Sequence, residues 1–166
     1  MTLWFVLAGA ALLATLWLIR PFLFGGSFDD RLDPMTRVVA LRDGDEAAVI
    51  PYEVLAKRGV VPFTFAGREL VALHELGTAS ALDSRVIAEG RDIGATGVFV
   101  LSVEGRPVDL SVGVGGGFVD ASTGAVYDIL GRPSAPGSAA LEPVEHLDTF
   151  WFAAAAFHPD SEIIGQ

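Results

Sequence analysis

Val38-Val39-Ala40-Leu41, then Arg42-Asp43-Gly44-Asp45, then Ala47-Ala48-Val49-Ile50 set the grammar of this chain. Two short aliphatic runs flank a charged turn that contains Asp-Gly. Val and Ile carry two heavy atoms on Cβ, which restricts χ1 and suits the pleated strand. Asp-Gly supplies the positive φ that a tight hairpin requires. The segment therefore reads as a β-hairpin.

The same grammar recurs along the chain. Val61–Phe65, Ala66-Gly67-Arg68 and Glu69–Leu73 read as a second hairpin. Val98–Val103, Glu104-Gly105-Arg106 and Val108–Val112 read as a third, and Phe118–Asp120, Ala121–Gly124 and Ala125–Leu130 as a fourth. Between the first two, Pro51–Arg58 predicts a short helix, with Pro51 in its first turn and Gly59 ending it. Arg132–Ser138, with Pro133, Pro136 and Gly137, predicts a loop. A second helix is predicted over Thr149–Phe157, with Asp148 as its N-cap and Pro159 as its stop. That segment is apolar almost all round, so it is expected to be buried against a sheet. The fold class that follows is mainly antiparallel β, or α+β: a series of β-hairpins with one buried C-terminal helix.

A different segment precedes the hairpins. Leu3 to Ile19 carries no charge, and with Pro21-Phe22-Leu23-Phe24 it approaches the length of a single transmembrane helix, roughly 17–25 residues. Trp4 and Trp17 suit the two interfaces, and Arg20 marks the edge. Nothing basic precedes Leu3, and Ala8-Gly9-Ala10 lies inside the apolar run. A retained anchor is therefore favoured over a cleaved signal peptide. The domains expected are an anchor over 1–24, a linker over 25–35 and a β-rich extramembrane domain over 36–166. Arg20 and Arg31 after the helix lean toward a cytoplasmic domain under the positive-inside rule, diluted by Asp29, Asp30 and Asp33.

Composition narrows the function. The formal net charge is -10 over 166 residues, with a pI near 4.5 and a mean hydropathy of +0.48. An acidic surface with no Lys or Arg run repels phosphate backbones, which excludes nucleic-acid binding. There is no cysteine, which excludes disulfides, iron–sulfur clusters, thiolate zinc sites and cysteine nucleophiles.

Few residues offer chemistry. Gly113-Val114-Gly115-Gly116-Gly117 resembles a phosphate cradle, but it leads into Phe118-Val119-Asp120 and not into a helix, so it reads as a hairpin connection. His74, His146 and His158 lack metal-ligand spacing. Glu145-His146-Leu147-Asp148 is the densest polar cluster, and helix capping explains it most simply. No Gly-x-Ser-x-Gly elbow occurs, and Ser80 and Ser84 have no evident His–Asp partner. Asp83, Arg85, Arg91 and Asp92 form either a ligand loop or ion pairs that fix that loop. The candidate ligand or structural cluster is His74, Asp83, Arg85, Arg91, His146 and Asp148. No catalytic residue, metal ligand or cofactor is assigned.

Gly77-Thr78-Ala79-Ser80-Ala81-Leu82-Asp83-Ser84-Arg85, Gly94-Ala95-Thr96-Gly97-Val98-Phe99, Phe118–Gly124, Leu141–His146, Asp148–Ala153 and Ala156–Asp160 together resemble the bacterial domain of unknown function 3179. The resemblance covers nearly everything after the anchor. Many members carry Cys-Pro-x-Cys just before Gly-Thr-Ala; here those positions are Leu73-His74-Glu75-Leu76, so a redox or metal role of that pair is absent. The resemblance implies a domain shape without a mechanism, and an extracytoplasmic, periplasmic location that outweighs the lean from Arg20. Two functions are carried forward. The first is a non-catalytic, membrane-anchored accessory subunit that stabilises a multi-subunit membrane complex, respiratory or photosynthetic for example, with integral membrane subunits and lipid as partners. The second is a small-ligand-binding or hydrolytic domain using the Gly77–Arg91 loop with His146 and Asp148.

The anchor reading predicts that membrane-extracted protein keeps the whole apolar run and has an intact mass near 17.5 kDa. A mature chain starting near Gly25 or Ser27 contradicts it.

Overall fold

In a computed structural model of the chain, residues 29–80 and 90–165 are described. The anchor residues Trp4, Trp17 and Arg20, and the loop residues Asp83 and Arg85, lie outside them. Among the described residues no helix is long and apolar enough to cross a membrane.

The first hairpin forms as the sequence reads. β1 (Arg37–Asp43) pairs antiparallel with β2 (Glu46–Pro51), Asp43 opposite Glu46. Gly44 takes φ 57° as the first of two connecting residues, and Asp45 does not follow it into positive φ, the pattern of a II′ turn. α1 (Tyr52–Arg58) follows at once, with Pro51 at its N-cap and Gly59 as C-cap at φ 71°. β3 (Val60–Phe65) and β4 (Arg68–Glu75) form the second hairpin, joined by Ala66 and Gly67. Both connecting residues have positive φ, 48° and 70°, which makes this the I′ turn.

Further on, the hairpins divide between sheets. β5 (Ala95–Val100) pairs with β4, from Leu70 opposite Val100 to Glu75 opposite Ala95. The third predicted hairpin survives only at its tip, β6 (Ser102–Val103) with β7 (Arg106–Pro107). Its outer arms part: β5 stays with β4, and β8 (Leu110–Val112) joins β9 (Phe118–Asp120). The glycine-rich stretch is the connection between β8 and β9, closed by Gly113 N–H to Gly117 O at 2.9 Å. β10 (Val126–Tyr127) completes that three-stranded sheet, shorter than the run to Leu130 that the sequence predicts. Asp128 is the reason: its carboxylate accepts the N–H groups of Leu130 and Arg132, turning the chain before the strand can extend.

Near the C-terminus the sequence reading needs correction. Leu147–Phe150 is a strand, β11, paired antiparallel with β1. The helix, α2, spans only Trp151–Phe157, and its N-cap is Phe150, without a side-chain hydrogen bond. Asp148 is therefore not a cap. The N–H groups of Trp151 and Phe152 reach instead to Thr36 O at 2.8 Å and Pro34 O at 3.1 Å. Backbone carbonyls of the segment before β1 do the work assigned to the carboxylate. α2 is also not buried all round. Trp151 and Ala154 are buried, while Phe152 and Phe157 are 40% and 81% exposed. β12 (Glu162–Ile163) then pairs parallel with β2, giving a sheet of order β11-β1-β2-β12.

Alternation along β1 assigns the two faces of this sheet. Val39 and Leu41, with Ala48 and Ile50 of β2, pack against Val61, Phe63, Leu70, Ala72 and Val98 of the β3-β4-β5 sheet and against Leu55 of α1. Val38 and Val49 on the opposite face pack against Trp151 and Ala154 of α2. The β3-β4-β5 sheet is likewise covered twice, since Val71, Leu73 and Phe99 form a further cluster with Phe118, Tyr127 and Leu141. Residues 142–144 bridge the two principal sheets. Val100 N–H donates to Glu142 O and Val144 N–H to Val98 O, extending the edge at β5 before the chain crosses into β11.

Asp120 pins the third cluster. It is fully buried, and its carboxylate accepts hydrogen bonds from Asp109 N–H, Ser122 N–H and the hydroxyls of Ser122 and Thr123. Burial opposes its ionisation, yet these donors outweigh burial and take its pKa down to about 2.

Two outcomes follow. Trp151→Ala empties the space between α2 and the sheet and should cost about 3–5 kcal/mol in denaturant unfolding; a loss under about 1 kcal/mol contradicts this packing. Asp120 has a depressed folded pKa, so its contribution is complete above the unfolded value of about 3.9. It is lost as pH falls from there through about 2. The acid limb of the stability profile should flatten over that window in Asp120→Asn, which urea midpoints measured across the same pH range would show.

Candidate functional site

Polar side chains gather where the apolar inter-sheet core runs out. On β4 and β5 the inward pairs are Leu70 with Val100, Ala72 with Val98, and then His74 with Thr96. On the facing sheet Val39 lies opposite Asp148, and Arg37 opposite Phe150. Period-2 alternation thus turns one end of a hydrophobic layer into a cluster of Arg37, His74, Thr96 and Asp148, joined by Tyr52 from the first turn of α1.

The contacts are specific. Thr96 Oγ1 donates to Asp148 Oδ1 at 2.8 Å. Arg37 Nη2 donates to Ser80 Oγ at 3.3 Å, and its guanidinium lies 5.0 Å from the centre of the Phe150 ring. The Tyr52 and His74 rings meet edge to face, 6.0 Å apart. Burial, and then the Asp148 charge, push the Tyr52 phenol up to about 12 against the Thr96 hydrogen bond and Arg37. Tyr52 is therefore a hydrogen-bonding group at neutral pH and not a base. His74 is buried, and its Nε2 lies 3.0 Å from Ile93 O. A carbonyl only accepts, so Nε2 carries the proton. Gly94 makes that approach possible: a Cβ there would fall 2.3 Å from His74 Nε2, at a φ of 74°.

Asp92 holds the adjacent loop in place. Its carboxylate accepts the N–H groups of Gly77, Thr78 and Gly94 at 2.8–3.0 Å, and those of Gly77 and Gly94 lead in holding its pKa below the ordinary value. The sequence leaves Asp92 open between ligand loop and ion pair; it binds backbone donors instead. Arg91 takes part through its carbonyl, which accepts Ser80 N–H at 2.7 Å. Asp83 and Arg85 fall outside the described residues.

His146 goes elsewhere. Its Nδ1 lies 2.8 Å from Val144 O, and the side chain lines a groove on the outer side of the β11-β1-β2-β12 sheet. His146 and Asp148 therefore serve different surroundings and are not a pair. The groove has a volume of about 1060 Å³ and runs between the β1–β2 hairpin and α2. Ala40, Ala47 and Val49 form its floor, and Leu147, Ala153 and Phe157 its sides, with His158 at the helix end. Among the described residues no group of three or more His, Asp or Glu converges as a metal site would require.

Sequence reasoning identifies His74 and Asp148 but misses Arg37, Tyr52 and Thr96 as their neighbours. The missing signal is register: only the β1–β11 and β4–β5 pairings bring residues 37, 96 and 148 together.

Comparison with known proteins places most of the β-rich region in one family. No curated protein and no solved structure matches the chain. The family of the protein of unknown function DUF3179 matches residues 19–161. That span covers every strand from β1 to β11, both helices and both polar regions described above, and the chain belongs to the DUF3179 family.

Proposed function

We propose that this chain is a membrane-anchored, non-catalytic accessory subunit, held by the apolar run from Leu3 to Phe24, whose β-rich domain stabilises a complex of integral membrane subunits. One observation carries the reading: an open groove of the described domain has Ala40, Ala47, Val49, Leu147, Ala153 and Phe157 in its lining among polar residues such as Arg42, Glu145 and Thr149, with Leu147 63% and Phe157 81% exposed. Large exposed apolar groups around a concave surface mark a surface that another molecule covers. The polar groups, in contrast, largely serve one another. Thr96 serves Asp148, Asp92 serves three backbone N–H groups, and His74 serves Ile93. A catalytic constellation needs a group left over for substrate.

A second reading rests on the convergence of Arg37, Tyr52, His74, Thr96 and Asp148 beside Ser80, where a small polar ligand would exchange with the internal hydrogen bonds. It differs from the ligand-loop reading of the sequence in using His74 and not His146.

Deletion of residues 36–166 separates the two readings when compared with His74→Gln and Asp148→Asn in full-length protein. On the accessory reading the deletion lowers recovery of co-purifying membrane subunits after gentle detergent extraction. Both substitutions leave recovery and function unchanged once circular dichroism shows them folded. A folded Asp148→Asn or His74→Gln variant that assembles fully yet loses function favours the ligand site.

A further inference from the structure

The sequence Trp151-Phe152-Ala153-Ala154-Ala155-Ala156-Phe157 gives α2 no polar side chain except the Trp151 indole. Its inner side is satisfied, with Trp151 and Ala154 against Val38 and Val49. Its outer side is Phe152, Ala156 and Phe157, all exposed. A helix on a water-facing surface ordinarily carries polar residues on its outer stripe. Together with exposed Leu147 across the groove, this outer side is an apolar surface that the other described residues leave open.

Charge decides what fits there. At one mouth of the groove the β1–β2 hairpin and the chain before β11 present Asp43, Asp45, Glu46 and Glu145, all exposed. Asp160 and Glu162 flank the lining residue Ser161 just after the helix and are exposed as well. Arg42 is the single Lys or Arg of the lining, and its Nε donates to Gly44 O at 3.0 Å. An anionic phospholipid surface is repelled by this rim, and so is a second copy of a chain with net charge -10. A polypeptide with an apolar face and basic ends meets both requirements: it covers the helix and neutralises the rim.

We infer that the outer side of α2 and the adjoining groove form the docking surface for an apolar helix of a partner subunit whose ends carry Lys or Arg. The inference rests on the accessory-subunit reading and adds to it the surface and the chemistry of the partner.

The test uses full-length protein in its native membranes. Phe157→p-benzoylphenylalanine, which keeps an aromatic ring at an exposed position, is compared with the same substitution at exposed Ser111 on β8. Irradiation should give an adduct from position 157 that maps to an apolar segment of a partner bordered by Lys or Arg, and none from position 111. In parallel, Phe157→Lys should lower partner recovery at least about tenfold. Glu145→Lys with Asp160→Lys should lower it at low salt and lose that effect at high salt. Adducts to lipid, to a second copy, or to a segment with acidic ends overturn the inference. So does an intact complex cross-linked from position 111 but not from 157, an outcome that leaves the accessory reading standing. Absence of any co-purifying complex overturns both.

Discussion

Four residue pairs, Arg37–Phe150, Val38–Thr149, Val39–Asp148 and Ala40–Leu147, tie the first strand of the domain to nearly its last. Every other feature of the described structure depends on their register. Successive strand residues point to opposite faces, so a slip of one residue would exchange the two sets of side chains. Leu147 and Thr149 would then enter the inter-sheet core, and Asp148 and Phe150 would face α2. In the observed register Asp148 reaches Thr96 on the other sheet, and Leu147 borders the outer groove. The same pairing carries the chain straight into α2, whose first N–H groups find Thr36 O and Pro34 O. That bond pattern sets Trp151 against Val38 and Val49.

Burying both faces of a sheet is demanding in a small domain. Val38 and Val39 are adjacent in sequence, point to opposite sides and are both fully buried. Val71 and Ala72 repeat the arrangement in the other sheet. Three apolar clusters thus share two sheets, and each sheet transmits strain from one cluster to the next. Among the described residues, polar groups gather at the ends of these layers. There the hydrogen bonds of His74, Thr96, Asp92 and Asp120 replace apolar contact, as buried or crowded polar groups require. Function, on the reading offered, belongs to the outer surface of this construction and not to its polar ends.

How much of this is legible in the sequence follows from how local each determinant is. The hairpins are set by two residues each: Ala66-Gly67 and Glu104-Gly105 turn where the turn chemistry places them, and the first turns one residue beyond Asp43-Gly44, at Gly44-Asp45. α1 is bounded by Pro51 and Gly59, again local signals. The partition of strands among sheets is not local. Nothing near Val98 or Leu110 announces that β5 joins β4 while β8 joins β9. Thr149–Phe150, which the sequence reads as the start of the helix, meets the same limit, since a short apolar run serves a strand as well as a helix. Tertiary pairing with β1 decides for the strand. The polar cluster shares this limit: His74 and Asp148 stand out as rare polar residues, but Arg37, Tyr52 and Thr96 look like ordinary strand and helix residues until the register is known.

If the β1–β11 pairing holds the domain together, its amides open only when the whole domain does. Native-state hydrogen exchange of the full-length protein in detergent, followed across low denaturant concentrations, measures this directly. The account predicts that Leu147–Phe150 exchange with the same opening free energy and the same denaturant dependence as Leu70–Leu73 of β4. Exchange of Leu147–Phe150 through a separate, lower-energy opening, with Leu70–Leu73 still protected, would contradict it.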